Sequence, residues 1–423
     1  MSRAGRWTVA LALTLVLAPP PARAQDLVVV RADRMLDVAS GEIVADARVV
    51  IEGERIRSVN PETLPGGAAT IDLGDVTLLP GLIDAHTHLT GNLTGDWQHR
   101  DVIETAAETA LRGAGNARRT LLAGFTTVRD VGSSHFADVA LGRAVERGWI
   151  DGPRVIPAAH SLGITGGHCD VTGYAPGVLE SDPTVGVADG VDEVVEAVRY
   201  QIKHGAEVIK TCATAGVLSH EASVGAQQYS GAELAAIVEE AARHELKVAA
   251  HAHGTEGIKA AVRAGVASIE HGSILDGEAI RLMRERGTWL VPTTYLADEI
   301  DLDVLPPEIR AKAEWVLPRA KESVRRAIAE GVPIAFGTDA GVFPHGDNAK
   351  EFAALVERGM TPLEAIRSSL VHAAALLGVD DRGAVEPGKL ADLIAVPGDP
   401  LEDVTVLEDP RFVMIGGKAV IVP

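Results

Sequence analysis

Eight apolar runs of strand length, separated by stretches of helical spacing, fill the middle of this 423-residue sequence. They fall at 77–86, 126–131, 154–159, 207–212, 247–251, 268–271, 289–293 and 334–338. Between them, the segments 102–123, 191–204, 232–245 and 310–330 carry apolar residues at helical intervals. A strand buried on both faces reads as an unbroken apolar run, and a parallel neighbour can be reached only through a long crossover. The alternation therefore specifies an α/β chain built on parallel strands. Several crossovers end in glycine (Gly124, Gly205, Gly265, Gly287, Gly331) just before the next run, as expected of a helix C-terminal turn. Eight such units close most simply into a (β/α)8 TIM-type barrel, whose chemistry sits at the carboxyl ends of the strands.

The two ends of the chain read differently. Short Val- and Ile-rich runs between Leu27 and Val59, broken at Ser40-Gly41 and Gly53, return as similar runs at 390–396 and 411–422. We expect residues 25–78 and 384–423 to form one small β-sandwich domain, and residues 79–383 the barrel. A hydrophobic content of 46% with only 4% aromatics suits a core of Val, Leu, Ile and Ala. Ahead of these runs, Arg3 and Arg6 precede an apolar stretch from Trp7 to Leu17, followed by Ala22-Arg-Ala24. This is the pattern of a cleavable signal peptide over residues 1–24, cut near Ala24, and the run is shorter than the ~20 residues of a spanning helix. A secreted or periplasmic protein is expected, with no membrane association after cleavage. Removing these residues takes away three arginines and no acid, leaving 36 basic against 59 acidic residues and a formal charge of −23. Such a chain repels phosphate backbones, which argues against a nucleic-acid partner. Cys169 and Cys212 are the two cysteines. They are too few for a disulfide framework, and each reads as a small buried side chain without a catalytic role.

Ligand-type residues recur where the runs end. His86 and His88, in Asp84-Ala-His-Thr-His88, lie two residues apart and so project to one side of a strand. His251 and His271 close two later runs, and imidazoles suit a borderline cation such as zinc. His253 also lies two residues from His251; its part as a neighbouring group or an alternative ligand stays open. Lys210, in Glu-Val-Ile-Lys-Thr, is a cation among strand residues, which loses its charge or finds a partner when buried. Its neutral amine can also add carbon dioxide to form an anionic carbamate. Asp339 follows the last run, where a carboxylate can ligate a cation and take a proton from attacking water. One histidine at a strand end is ordinarily a satisfied polar residue; this many together point to a metal site.

The set His86-Thr-His88, Lys210, His251, His271 and Gly337-Thr-Asp339-Ala-Gly, in that order, resembles the amidohydrolase superfamily. The likeness extends from Leu79-Pro-Gly-Leu-Ile-Asp84 to Glu386-Pro-Gly-Lys-Leu-Ala-Asp-Leu393. Gly124-Phe-Thr-Thr-Val-Arg-Asp130, Gly216-Val-Leu-Ser219 and Pro344-His-Gly-Asp-Asn348 resemble its branch of imidazolonepropionase-like proteins, Xaa-Pro dipeptidases and ochratoxin-hydrolysing amidases. The resemblance implies two divalent ions, zinc by expectation, bridged by N6-carboxylated Lys210 and hydroxide. His86, His88 and Asp339 would hold one ion, and His251 and His271 the other. It further implies attack on an amide carbonyl with Asp339 carrying the proton, a small-molecule or dipeptide substrate, and assembly as a homo-oligomer.

Substrate contacts are expected from His168, in Thr165-Gly-Gly-His168, as a donor to the carbonyl, and from Tyr229, at a position matching a carboxylate contact in the dipeptidases. Arg129 is expected to pair with Asp130 or another acid. The acidic stretch Asp298-Glu-Ile-Asp301-Leu-Asp303 reads either as a solvated loop or as an attractor for a cationic substrate side chain. The leading expectation is hydrolysis of the amide bond to a C-terminal amino acid in dipeptides, N-acyl amino acids or ochratoxin-like aryl amides. Hydrolysis of a cyclic amide or lactone, and a non-catalytic metal-binding role, are the alternatives.

Overall fold

The computed structural model describes residues 27–92, 97–221 and 223–422. The segment 1–24, expected from the sequence to be a signal peptide, lies outside the described residues. Near the N-terminus, β1 (Leu27–Asp37), β2 (Glu42–Glu52), β3 (Arg55–Val59), β4 (Ala69–Asp72) and β5 (Thr77–Pro80) belong to one sheet. A parallel series follows: β6 (Leu82–Thr87), β7 (Phe125–Asp130), β8 (Arg154–Pro157), β9 (Ile209–Cys212), β10 (Val248–Ala252), β11 (Ser268–His271) and β12 (Trp289–Val291). Finally β13 (Leu393–Val396), β14 (Phe412–Ile415) and β15 (Lys418–Ile421) return to the first sheet, whose order is β15-β14-β13-β5-β1-β2-β3 with β4 beside β1.

Strands from both ends of the chain thus share a single eight-stranded sheet, where the sequence led us to expect a β-sandwich. The sheet curls over its own core. Alternate residues Val30, Val49, Ile56, Leu78, Leu393 and Phe412 meet in one buried cluster although they span the sheet from edge to edge. Near the β3 edge, Ile56 N donates to Lys389 O (2.9 Å) and Ala391 N to Glu54 O (2.8 Å), so that edge is covered by the chain leading into β13. The sequence run 77–86 splits at Gly81, leaving β5 in the terminal sheet and β6 in the parallel series. A Cβ at Gly81 would lie 2.2 Å from the Thr126 hydroxyl, so a larger residue could not pass so close to the neighbouring strand.

The parallel strands form two arcs, β6-β7-β8 and β9-β10-β11-β12. Leu162 N to Lys210 O and Cys212 N to Leu162 O, both 2.8 Å, join the first arc to the second. The eighth expected strand, 334–338, runs between β12 and β6 and meets its neighbours through isolated bridges: Leu290 N donates to Pro333 O, Ala335 N to Leu290 O and Ala85 N to Phe336 O. Asp84 reinforces this seam, because its carboxylate accepts from Thr338 N (3.1 Å), Thr338 Oγ1 (2.6 Å) and Asn348 Nδ2 (2.8 Å).

Helices cover the arcs. The crossover Val191–His204 has the bounds read from the sequence and ends at Gly205, whose φ of 112° is costly for a side chain. The segment expected as one helix at 102–123 is two, Trp97–Ile103 and Ala106–Leu122. Thr105 caps the second, accepting from Glu108 N while Glu108 accepts from Thr105 N. Pro307–Ala329 accommodates Pro318 without ending. No helix among the described residues is long and apolar enough to cross a membrane.

Candidate metal centre and active site

At the carboxyl ends of the parallel strands a cavity of about 660 Å³ is lined by His86, His88, His168, Lys210, His251, His253, His271 and Asp339. These side chains form two groups. The Nε2 atoms of His86 and His88 each lie 3.4 Å from Asp339 Oδ1. In the second group His251, His253 and His271 converge; within each group the ligand-type atoms lie within 4.8 Å of one another. The geometry includes His253 equally with His251 and His271, where the sequence left its part open between neighbouring group and alternative ligand.

The outward nitrogens are anchored from behind. His86 Nδ1 bonds Glu270 Oε2 at 2.7 Å, His88 Nδ1 bonds Gly132 O at 2.9 Å, and His271 Nδ1 bonds Thr293 Oγ1 at 2.8 Å. His253 Nδ1 bonds Ser273 Oγ at 2.7 Å. With one nitrogen fixed, the ring presents the other; His86 Nε2 and His251 Nε2 are buried without a hydrogen-bond partner. Orphaned buried imidazole nitrogens, gathered with a carboxylate, are the donor set a divalent cation would satisfy. Burial drives His253 down to about 3 and pushes His251 and His271 well below the usual imidazole range, with neighbouring histidines adding to the effect. All three rings are therefore neutral at neutral pH, with lone pairs available. Burial alone would raise Asp339, but His86, His88 and Lys210 outweigh it and hold the carboxyl below its usual range. Asp339 and His271 also have left-handed backbones, with φ of 63° and 69°, a strain of roughly 1–3 kcal/mol each that non-glycine residues keep at functional sites.

Lys210 sits among these groups, 3% exposed, and burial lowers it to about 8 against the pull of Glu270 and Asp339. Beneath the histidines, Glu270 bridges His86 and Arg129: Arg129 Nη2 donates to Oε1 at 2.9 Å, Ser268 Oγ to the same oxygen at 2.5 Å, and Arg129 Nε to Ala85 O at 2.5 Å. Arg129 thus pairs with Glu270, while Asp130 accepts from Leu89 N at 2.6 Å. The sequence held a signal for Glu270 in the single carboxylate of the strand-length run Ser-Ile-Glu-His.

Two expectations need correction, and one of the two readings of the acidic loop is favoured over the other. Tyr229 does not line the cavity; it is buried in the core between strands and helices, and its hydroxyl donates to Ala188 O at 3.2 Å. A substrate carboxylate could not reach it there. Cys169 and Cys212 are joined as a disulfide, with Cα atoms 5.8 Å apart across a sequence separation of 43. The loop after β8 folds back over the end of β9, helped by Gly163, where a Cβ would lie 2.7 Å from that of Cys169. Of the two readings of the acidic loop, the structure favours the solvated, ion-paired one. Asp298 pairs with Lys321 and Arg358, and Asp303 with Arg310, while Leu296, Ala297 and Ile300 provide its lining side chains.

The chain matches the amidohydrolase family over residues 77–420. It belongs to that family. This amidohydrolase is 39% identical over 367 residues to ochratoxinase of Aspergillus niger, an alignment covering 81% of this chain and 75% of the relative. In three dimensions it is similar to a Xaa-Pro dipeptidase with bound methionine in the active site, at a TM-score of 0.90 and 38% identity, covering 93% of this chain and 100% of the other. It is also similar to a prolidase complexed with N-methylphosphonate-L-proline, at a TM-score of 0.86 and 34% identity over 94% and 100% of the two chains. The architecture is accordingly of the TIM-barrel type, and this amidohydrolase is a hydrolase of amide bonds.

Proposed function

We propose that this amidohydrolase uses two divalent cations to cleave the amide bond to a C-terminal amino acid, in Xaa-Pro and related dipeptides, N-acyl amino acids and ochratoxin-like aryl amides. The observation that carries this reading is the pair of ligand groups flanking buried Lys210 within one cavity. His86, His88 and Asp339 would hold one ion and His251 and His271 the other, with N6-carboxylated Lys210 between; the imidazole-rich set favours zinc. When bound, the ions would acidify an attacking water and polarise the amide carbonyl.

The protein's own groups complete the chemistry. Lys210 is suited to carboxylation because burial increases its share of free amine, whose nitrogen lone pair bonds the carbon of carbon dioxide as a proton departs. Asp339, ionised and at the cavity floor, takes the proton of the attacking water and delivers it to the leaving nitrogen. His168 is neutral, since burial and Lys210 drive it down to about 4, and it serves as a hydrogen-bond donor to the carbonyl oxygen as charge develops. Leu296, Ile300, Val316 and Leu317 give the cavity an apolar wall for a non-polar substrate side chain.

The neighbours with methionine and with an N-methylphosphonate derivative of proline support an amino acid on the leaving side of the bond. The test is a library of dipeptides, N-acyl amino acids and cyclic amides presented to zinc-reconstituted and chelator-treated protein. Linear substrates should be hydrolysed by the zinc form and not after chelation. Turnover confined to ring substrates, or activity indifferent to chelation and to Asp339→Asn, would overturn the proposal.

A further inference from the structure

Lys312 has no place in the chemistry above, yet it is a buried cation close behind the site. It lies on the helix Pro307–Ala329 and is 9% exposed. Its ammonium donates to the main-chain carbonyls of Gly216 (3.3 Å), Ser219 and Glu221 (3.1 Å). Burial lowers its pKa, while Glu221 and Glu308 act to raise it. Among the described residues no carboxylate forms an ion pair with it, so its direct partners are the three carbonyls, with Glu221 and Glu308 acting from farther away. This is an expensive way to hold a loop unless the loop's position matters.

The loop it holds is the one behind His168. Ser219 Oγ lies 2.9 Å from His168 Nδ1, and the His168 ring stacks on His251 with centroids 4.1 Å apart. The loop backbone packs flush against the imidazole: a Cβ at Gly216 would lie 2.1 Å from His168 Nδ1. Among the described residues, 216–221 makes no main-chain to main-chain hydrogen bond of its own. The same helix grips the loop again where Glu308 Oε1 lies 3.9 Å from His220 Nδ1.

We propose that Lys312 is a positioning residue: by caging its ammonium in the carbonyls of Gly216, Ser219 and Glu221, it fixes the Ser219 hydroxyl against His168 and so sets the orientation and tautomer of that ring. In this proposal the Ser219 hydroxyl, 2.9 Å from Nδ1, is the donor of that bond, which leaves the proton on Nε2 as the donor the substrate carbonyl requires. The inference rests on the role given to His168 under Proposed function. A purely structural lysine would stabilise the loop without selecting a tautomer.

The test combines kinetics with a measurement on the metal-free protein. Lys312→Met and Ser219→Ala should each lower kcat about 10- to 100-fold with KM within about twofold, as expected when an interaction made in the transition state is lost. Because both act through one ring, the double variant should be no worse than the poorer single one. Lys312→Cys treated with bromoethylamine, which restores an ammonium at the same reach, should recover kcat; the paired native cysteines do not react. In histidine-labelled apoprotein, long-range nitrogen–proton spectra should show His168, assigned with His168→Gln, protonated at Nε2 in the parent and tautomer-averaged in Lys312→Met and Ser219→Ala. An unchanged His168 pattern in Lys312→Met, or kinetic losses that multiply in the double variant, would overturn the proposal. Should Lys312→Met not fold, Lys312→Gln is read by the same spectra and the same criteria. If His168→Gln keeps the parental kcat, the role given to His168 fails, while the spectra still decide whether Lys312 sets its tautomer.

Discussion

Glu270 offers the sharpest test of how the site is held. Its carboxylate is fully buried and shared between Arg129 and His86. Burial alone would raise its pKa, but Arg129, the hydrogen bond to His86 and the charge of Lys210 overcome this and bring it from 4.5 to about 2. A folded value below the unfolded one means stability that is present above about pH 4.5 and lost as the pH falls toward 2. At 1.36 kcal/mol per unit, that depression corresponds to roughly 3 kcal/mol at neutral pH. Glu270→Gln keeps the shape, removes the charge and leaves Arg129 without a counter-ion, for which breaking a buried pair costs about 3–5 kcal/mol. Urea unfolding of chelator-treated parent and variant should therefore show a deficit of roughly 3 kcal/mol at pH 7. The deficit should shrink steadily on acidification, because protonated Glu270 resembles glutamine. Zinc affinity, measured by competition with a chelating dye, should fall about 10- to 100-fold as His86 loses its anchor. Removing both partners, in Arg129→Met with Glu270→Leu, should recover much of the stability lost in Glu270→Leu alone. A deficit that does not change with pH, or double-variant costs that simply add, would refute this account.

Other consequences can be measured as readily. Replacing both Cys169 and Cys212 by serine should lower unfolding free energy by about 4 kcal/mol on a chain-entropy basis, given the separation of 43 residues; denaturant titration with unchanged stability would contradict it. Gly216→Ala places a methyl group where the His168 ring lies, and kcat should fall at least about 10-fold; a parental kcat would contradict the close packing of this loop on the ring. Because Asp298 and Asp303 are engaged in ion pairs, Asp303→Asn should not alter the ratio of kcat/KM between substrates with C-terminal Arg and Leu, and Ile300→Asp should disfavour Leu by about 10-fold. A marked loss of Arg turnover in Asp303→Asn would restore the cation-attracting role of that loop.

The strand ends were legible in sequence because most of the ligand-type residues stand at or next to the end of an apolar run, with Lys210 within its run as the lone cation. His86, His88, Lys210, His251, His271 and Asp339 all line the same cavity. Partners separated by long stretches of chain left no such signature. The bond from Glu270 to His86 joins residues 184 apart, and the bonds of Asn348 and Thr338 to Asp84 span 264 and 254. The Cys169 to Cys212 bond was hidden likewise, since it depends on how one loop folds back over β9. Tyr229 shows the opposite error: a residue matched by local motif can turn into the core when one carbonyl, that of Ala188, is in reach of its hydroxyl.

The anchors behind the histidines also bear on when the site forms. His86, on β6, is fixed by a carboxylate from β11; His88 by the carbonyl of Gly132 beyond β7; His271 by a hydroxyl beyond β12. Each ring is oriented by a different element from the one that carries it, so its direction is a property of strand registry. A zinc finger, by contrast, has no such frame and folds only with its ion. Here the hydrophobic clusters around the parallel strands and the Asp84 seam are made of apolar packing and protein hydrogen bonds that do not involve the imidazole nitrogens. Cations held at His86 Nε2 and His251 Nε2, both buried without a hydrogen-bond partner, would return free energy and stabilise a site whose rings the strand registry orients. Chelation should accordingly lower the melting temperature while leaving the far-ultraviolet circular dichroism of the folded protein intact; collapse of that signal at room temperature would show that the ion builds the frame.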